Sequence, residues 1–427
     1  MTAIVGVLNK RAAVMAADSA VTVTRGDKQK IYNTATKIFR LSIEHPIGVM
    51  IYGNMEFLGT PWDVIFKLYR DRRGMQSFNS VKEYAANFMD FLHAENYFSN
   101  ASSQEDYFIE ELSNFYYLIR DDVLEEYKEK VNEMGGENVD SDNLLRELIE
   151  KHIQDCENLY LQKPLNPEFE DYTMESLRSF GHKHFDGLID LCKEDDLPTD
   201  MSEKWQNCFY AYIRSQWYYK GTGLVFVGYG NKDIYPSLVA SFVSGAFDRR
   251  LRYYFSEDPT DAITNDNFAI IKPYAQADVM LTLMKGIAPQ FAEEVCEWHE
   301  ESIGKVRNKM LERMKEYGAS EELLEKMGEV DLADVQEQHN EQLRRYIRDE
   351  YVEGIVCAVD SFNIEDMANM AESLISVTNL QRHISSSDES VGGPIDVAVI
   401  TRSEGFIWVK HKDWFSQEMN PNTRYYD

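Results

Sequence analysis

An α+β fold is what this sequence of 427 residues predicts, on three observations. Short apolar runs of strand length lie near both ends and in the middle, at 4–7, 12–17, 47–53, 224–230 and 395–400. Two long stretches, 76–218 and 288–360, instead repeat apolar residues at helical spacing. No internal repeat, low-complexity tract or Pro/Gly linker divides the chain, which argues for one elaborated domain. The expected organisation is a core built from 1–75, 219–287 and 361–427, interrupted by an acidic helical insertion (76–218) and a helical hairpin (288–360).

The first strand begins Met1-Thr2-Ala3-Ile4-Val5-Gly6-Val7. Removal of an initiator Met before a small residue would leave Thr2 with a free α-amine beside its own hydroxyl, placing nucleophile and general base on one residue. Such an amine titrates near neutrality, at roughly 7.7 to 8.0. After a Lys10-Arg11 turn, Ala12-Ala13-Val14-Met15-Ala16-Ala17 forms a second buried strand that hairpins back and ends at Asp18, near Thr2. Lys37 stands alone in the strand-like Thr36-Lys37-Ile38-Phe39-Arg40-Leu41, and the apolar strand 47–53 closes on Gly53, where a backbone N–H can approach a ligand. Taken singly, Asp18 could be a turn residue, Lys37 a surface charge and Gly53 a strand-to-helix turn.

Taken together, Thr2, Ala17-Asp18-Ser19-Ala20-Val21-Thr22, Lys37 and Gly53 resemble, in order and spacing, the proteasome β-subunit and HslV peptidase family of N-terminal nucleophile (Ntn) hydrolases. The resemblance implies a four-layer αββα sandwich of two antiparallel sheets flanked by helices. It also implies roles: Thr2 as nucleophile and α-amine base, Lys37 to lower the hydroxyl's pKa, Asp18 to orient Lys37, and the Gly53 N–H as oxyanion donor. Thr22 matches a residue that holds extended peptide through its backbone. Val21, Ala35, Phe39, Ile51 and Met55 would form an apolar specificity pocket, favouring an apolar residue before the scissile bond.

The resemblance resumes at Leu224-Val225-Phe226-Val227-Gly228-Tyr229-Gly230 and the strands expected within 234–255. It continues at Pro273-Tyr274-Ala275-Gln276-Ala277, expected to open a helix to about Lys285, and at Asp388-Glu389-Ser390-Val391-Gly392-Gly393 before the strand 395–400. Asp388 is thereby implicated as a further catalytic residue. About half the chain is covered. At two positions where the family commonly carries serines this chain has Ile270 and Val391; Ser390 or Lys272 could compensate for the lost hydroxyls.

The remaining chain reads as helices. Val81, Tyr84, Phe88 and Leu92, then Phe108, Leu112, Phe115, Ile119 and Val123, mark core-facing stripes in the first insertion. This insertion holds 31 Asp/Glu against 12 Lys/Arg, which is −19 of the chain's −29. Phe291, Val295, Ile303, Val306, Met310 and Met314 precede a break at Gly318-Ala319-Ser320, followed by Val335, Leu343, Ile347 and Tyr351, as in a long helical hairpin. A last helix, 363–383, carries Met367, Met370, Leu374 and Leu380 back to the core.

So negative a charge argues against nucleic acid and anionic membranes as partners. Five scattered cysteines without a CxxC pair suggest reduced thiols. No HExxH or phosphate-binding Gly-rich loop occurs, and His182-Lys183-His184 places its imidazoles on different faces of a helix, so no cofactor and no metal are expected. Without a signal peptide or a bilayer-length apolar run, the expectation is a cytoplasmic protein. Three functions follow: a threonine peptidase, an Ntn amidase acting on a small amide, or a catalytically degenerate scaffold of the same fold. The expected partners are a peptide or small-amide substrate, further copies in a homo-oligomer, and an ATP-dependent unfoldase or other protein.

Overall fold

The computed structural model describes residues 2–25, 28–95, 100–133, 140–256, 258, 261–385 and 392–412. The chain opens with β1 (Ile4–Asn9), β2 (Ala13–Ala17), β3 (Val21–Arg25), β4 (Lys28–Tyr32), β5 (Ile38–Arg40), β6 (Ile47–Gly53), β7 (Glu56–Phe57) and β8 (Thr60–Pro61). Helices α1 (Trp62–Arg73), α2 (Val81–Ala94), α3 (Ala101–Glu133), α4 (Ser141–Leu161), α5 (Met174–Glu194) and α6 (Ser202–Arg214) follow. Strands return as β9 (Thr222–Gly228), β10 (Ser237–Phe247), β11 (Arg250–Ser256) and β12 (Ala269–Tyr274). Then come α7 (Asp278–Lys285), α8 (Pro289–Glu316), α9 (Glu321–Gly328), α10 (Ala333–Ile347), α11 (Glu353–Ser361), α12 (Ile364–Ile384), β13 (Asp396–Thr401) and β14 (Gly405–Lys410).

Two five-stranded sheets, ordered β12-β1-β2-β13-β14 and β11-β10-β9-β6-β5, are antiparallel throughout. Strand alternation explains why β1 and β2 are apolar at nearly every position. Ile4, Leu8 and Met15 point inward to meet Met50, Val225 and Val227 of the second sheet. Val5, Val7, Val14 and Ala16 point outward under Met280 of α7 and Met367, Ala371 and Leu374 of α12. The outer face of the second sheet buries Val49, Ile51 and Phe226 against Trp62 and Phe66 of α1 and Phe88 of α2. The molecule is thus a mixed α/β protein of two antiparallel sheets with helices on their outer faces, compatible with a sandwich.

Between β8 and β9 the chain is helical, and α3 to α6 bury a core of their own. Phe108, Leu112, Phe115, Ile119 and Val123 of α3 are buried with Leu148, Phe185, Trp205 and Phe209 from α4, α5 and α6. Each large side chain so buried contributes roughly 1.5–3 kcal/mol before chain entropy is deducted. Helix starts are set by side-chain caps: Ser80 accepts from the Glu83 N–H while Glu83 reaches back to the Asn79 N–H, and Thr173 and Asn363 cap α5 and α12.

Three differences from the sequence reading matter. Pro273 and Tyr274 end β12 instead of opening a helix, and α7 begins only at Asp278. The hairpin of β3 and β4 was not anticipated. The second insertion is helical, but α8, α9 and α10 bury no residue at all, so its apolar positions do not make a core. No helix among the described residues is long and apolar enough to cross a membrane.

Candidate active site

The β1–β2 hairpin fixes the site. Ile4 faces Ala17 in its register, and one step further Ala3 faces Asp18. The Asp18 N–H donates to the Ala3 carbonyl (3.1 Å), and the Ala3 N–H donates back to Asp18 Oδ1 (2.9 Å). A carboxylate is therefore locked to the residue that follows Thr2, itself only 5% exposed. Asp18 Oδ1 also accepts from Lys37 Nζ (2.7 Å), while Oδ2 accepts the N–H groups of Ala20 (3.2 Å) and Gly392 (3.2 Å).

Lys37 enters β5 and is pinned there because its carbonyl accepts the Ile51 N–H of β6 (2.9 Å). Its ammonium donates to Asp18 and to the Ala20 carbonyl (2.6 Å), and both charged side chains are fully buried. Burial pulls the Lys37 pKa below its usual range, and the adjacent Asp18 carboxylate offsets part of that loss. Of the three ammonium protons, two are placed by these bonds.

Gly53 ends β6 at φ +83, and a Cβ there would stand 2.3 Å from the Gly221 carbonyl oxygen, so only glycine fits. The Asn54 N–H donates to Gly221 of the neighbouring segment, whereas the Ile51 N–H donates to Lys37. Since amides alternate along a strand, the Gly53 N–H faces the Lys37 side. At the same end of the gap between the sheets, the rings of Tyr52 and Tyr274 stack at 5.9 Å. The Tyr274 hydroxyl is buried with no partner among the described residues. Tyr274 pairs with Ile4 in register, which places it on the Thr2 end of β12.

A second buried charge cluster braces Asp18, and sequence reasoning missed it. Asp396, at the start of β13, accepts from His411 Nδ1 (3.1 Å), from the Lys412 N–H (3.1 Å) and from Lys412 Nζ. Burial opposes ionisation of Asp396, but the His411 and Lys412 hydrogen bonds outweigh it and hold the carboxyl below its ordinary range. Lys412 Nζ also donates to Ser19 Oγ (2.8 Å), and the Ser19 N–H donates to the Gly392 carbonyl (3.2 Å). The one available signal was a carboxylate opening an otherwise apolar strand.

The expected substrate-binding residues divide into two groups. Phe39, Ile51 and Met55 belong to the cluster under α1, with the Phe39 ring 4.9 Å from that of Phe66. By alternation, Phe39 shares its face with Lys37 and Ile51 shares its face with Gly53. Val21 and Thr22 lie on β3, opposite Tyr32 and Ile31, and the other edge of β3 pairs with no strand among the described residues. Ala35 joins the site through its N–H, which donates to the Ser19 carbonyl (3.0 Å).

Ile270 does not stand beside the Thr2 amine. It pairs with Leu8, at the far end of β1, and is packed between the sheets. The β1–β12 ladder ends at the Ile4–Tyr274 pair, and Ala275 and Gln276, both with positive φ (41 and 45), follow it. Lys272 is bound to Asp258 (2.9 Å) and to Asp261 and faces Gly6 across the ladder, so it is engaged away from the nucleophile. Asp388, Ser390 and Val391 lie outside the described residues. No protein-family model matches this chain, and no curated protein matches its sequence.

Proposed function

We propose that this chain is an N-terminal threonine hydrolase of the proteasome β-subunit and HslV kind, built on the four-layer Ntn sandwich, and that it hydrolyses peptide bonds. The observation that carries this reading is the fully buried Asp18–Lys37 pair, tied through the Ala3 N–H to the residue after Thr2. A buried ion pair is an expensive feature to keep for stability alone. Next to the hydroxyl and α-amine of a processed Thr2, such a pair would have a chemical use. With Met1 removed, the Thr2 amine takes the hydroxyl proton, and the remaining Lys37 proton stabilises the alkoxide character of Oγ. Oγ then attacks the substrate carbonyl carbon, and the Gly53 N–H receives the oxyanion. The C–N bond breaks as the amine returns the proton to the leaving nitrogen, leaving an ester at Thr2 that water, activated by the same amine, hydrolyses.

The edge of β3 that pairs with no strand among the described residues favours an extended peptide as substrate, since such an edge accepts a further strand. Phe39, Ile51 and Met55 offer an apolar wall beside Lys37, with Val21 and Ala35 at its rim, which suits an apolar residue before the cleaved bond. The test is the intact mass of the purified protein, alone and after treatment with a peptide epoxyketone, a reagent that requires both the hydroxyl and the free amine of an N-terminal threonine. Loss of one Met and a single adduct absent from Thr2→Ala is the expected result. Retention of Met1 with no adduct would replace the enzyme reading by that of a scaffold, and reaction only with small acyl reagents would favour a small-amide substrate.

A further inference from the structure

The hairpin of α8, α9 and α10 leaves a long apolar stripe uncovered. One side of α8 faces its own hairpin: the rings of His299 and His339 stack at 3.6 Å, and Gln336 donates to Glu300. Another side presents Phe291, Trp298, Val306 and Met310, with Tyr317 just beyond its end, all between 48% and 85% exposed. With Ser302 between them, these residues are spaced by seven and four, which aligns them along one side of a helix 28 residues long, or about 42 Å. A hairpin in which no residue is fully buried and this much apolar surface is exposed calls for a covering partner.

The pattern specifies that partner as a second copy of the chain. Phe291 and Tyr317 stand thirteen residues on either side of Gly304, Trp298 and Met310 six, and Ser302 and Val306 two. An antiparallel pair of α8 helices crossing at the level of Gly304 therefore sets Phe291 against Tyr317 and Trp298 against Met310, with the small Ser302 against Val306 nearest the axis, the self-complementarity that a two-fold interface requires. Charge agrees independently. Between 293 and 301 α8 has five glutamates and no Lys or Arg, and between 305 and 315 it has five Lys/Arg against one glutamate. Antiparallel pairing lays the acidic half of each copy on the basic half of the other, whereas parallel pairing stacks like on like.

We infer that α8 is a homodimerisation helix that pairs antiparallel with itself about a two-fold axis at the level of Gly304. The surface is independent of the chemistry proposed for Thr2. The full-length chain, measured by sedimentation or light scattering at tens of micromolar, is expected to have twice the 49.6 kDa mass of one chain. Trp298→Glu and Met310→Glu each weaken the dimer by about tenfold or more without changing the circular dichroism, because both side chains are exposed in the single chain. In a background lacking Cys296 and Cys357, Ser302→Cys forms an oxidised dimer and Tyr317→Cys does not. A wild-type monomer would overturn the inference, as would a dimer indifferent to Trp298→Glu, and cross-linking through Tyr317→Cys would overturn the antiparallel arrangement.

Discussion

Lys37 and Asp18 carry opposite charges where no water reaches them, so each is costly without the other. Lys37→Met is expected to leave the Asp18 carboxylate buried without its cation and to lower stability by about 3–5 kcal/mol, as removal of one partner of a buried pair does. Combining it with Asp18→Asn should recover most of that stability in a denaturant melt while leaving Thr2 unreactive, which separates the structural from the chemical role of the pair. Equal instability of the double and single variants would show that Asp18 is held mainly by its backbone donors. Gly53→Ala forces a Cβ against the Gly221 carbonyl at positive φ. It should cost about 1–3 kcal/mol in backbone strain and lower kcat by about a hundredfold or more as the N–H shifts. At this scale the sequence was informative where a rare residue interrupts a regular pattern: Asp18 after an alanine-rich strand, Lys37 within a strand, Gly53 at a strand end. It was uninformative for the Gly392 N–H and for Lys412, since backbone donors have no side-chain signature and a lysine outside any strand pattern looks like any other. Ile270 sits further along than expected because β12 continues to Tyr274 and the left-handed turn after it is made by Ala275 and Gln276, so the glycine that normally marks such a turn is absent.

Between elements, the decisive contact of the first insertion is Arg252 of β11. Fully buried, it donates to Glu111 (2.7 Å) and to the Tyr107 hydroxyl (3.0 Å) of α3 and to the Trp217 carbonyl (3.2 Å), with the Tyr212 and Tyr218 rings within 4.9 Å. Helix α3 is therefore bolted to the second sheet by a buried charge whose geometry only a planar fork satisfies. Arg252→Lys is expected to destabilise despite keeping the charge, and Arg252→Met to cost about 3–5 kcal/mol by stranding Glu111. Arg252→Met with Glu111→Leu should fall well short of that loss, and a double variant as unstable as the single would refute the pairing as the cause. Periodicity made α2 and α3 legible because each stripe meets another helix or the sheet, and those stripe residues are buried. The same periodicity identified α8 as a helix but said nothing of what covers it, since spacing records a face and not its partner. The hairpin of β3 and β4 escaped because Lys28-Gln29-Lys30 carries no apolar alternation for a sheet to bury.

At the scale of the whole molecule, the response to alkali follows from where the 25 tyrosines sit. Burial pushes Tyr52 and Tyr229 up to about 12, and drives Tyr107, Tyr116 and Tyr172 further in the same direction, against an unfolded value near 10. Folded values raised above unfolded ones mean that the unfolded chain sheds these protons first, so the associated stability is complete below about pH 10 and is lost as pH rises through the folded values. Lys37 works the other way: its depressed folded pKa makes the unfolded chain the better proton binder, so stability rises with pH until the reference value of 10.5 is passed. One lysine opposes several tyrosines, and its contribution is complete before theirs is spent. The melting temperature should therefore hold to about pH 10 and then fall steeply towards pH 12, each fully expressed shift of two units removing about 2.7 kcal/mol. The phenolate absorbance of the buried set should therefore rise together with unfolding, well above pH 10. A single smooth phenolate titration near pH 10 with an unchanged melting temperature would mean that water already reaches the buried rings, and would undo the close packing of helices against sheet from which the prediction is drawn.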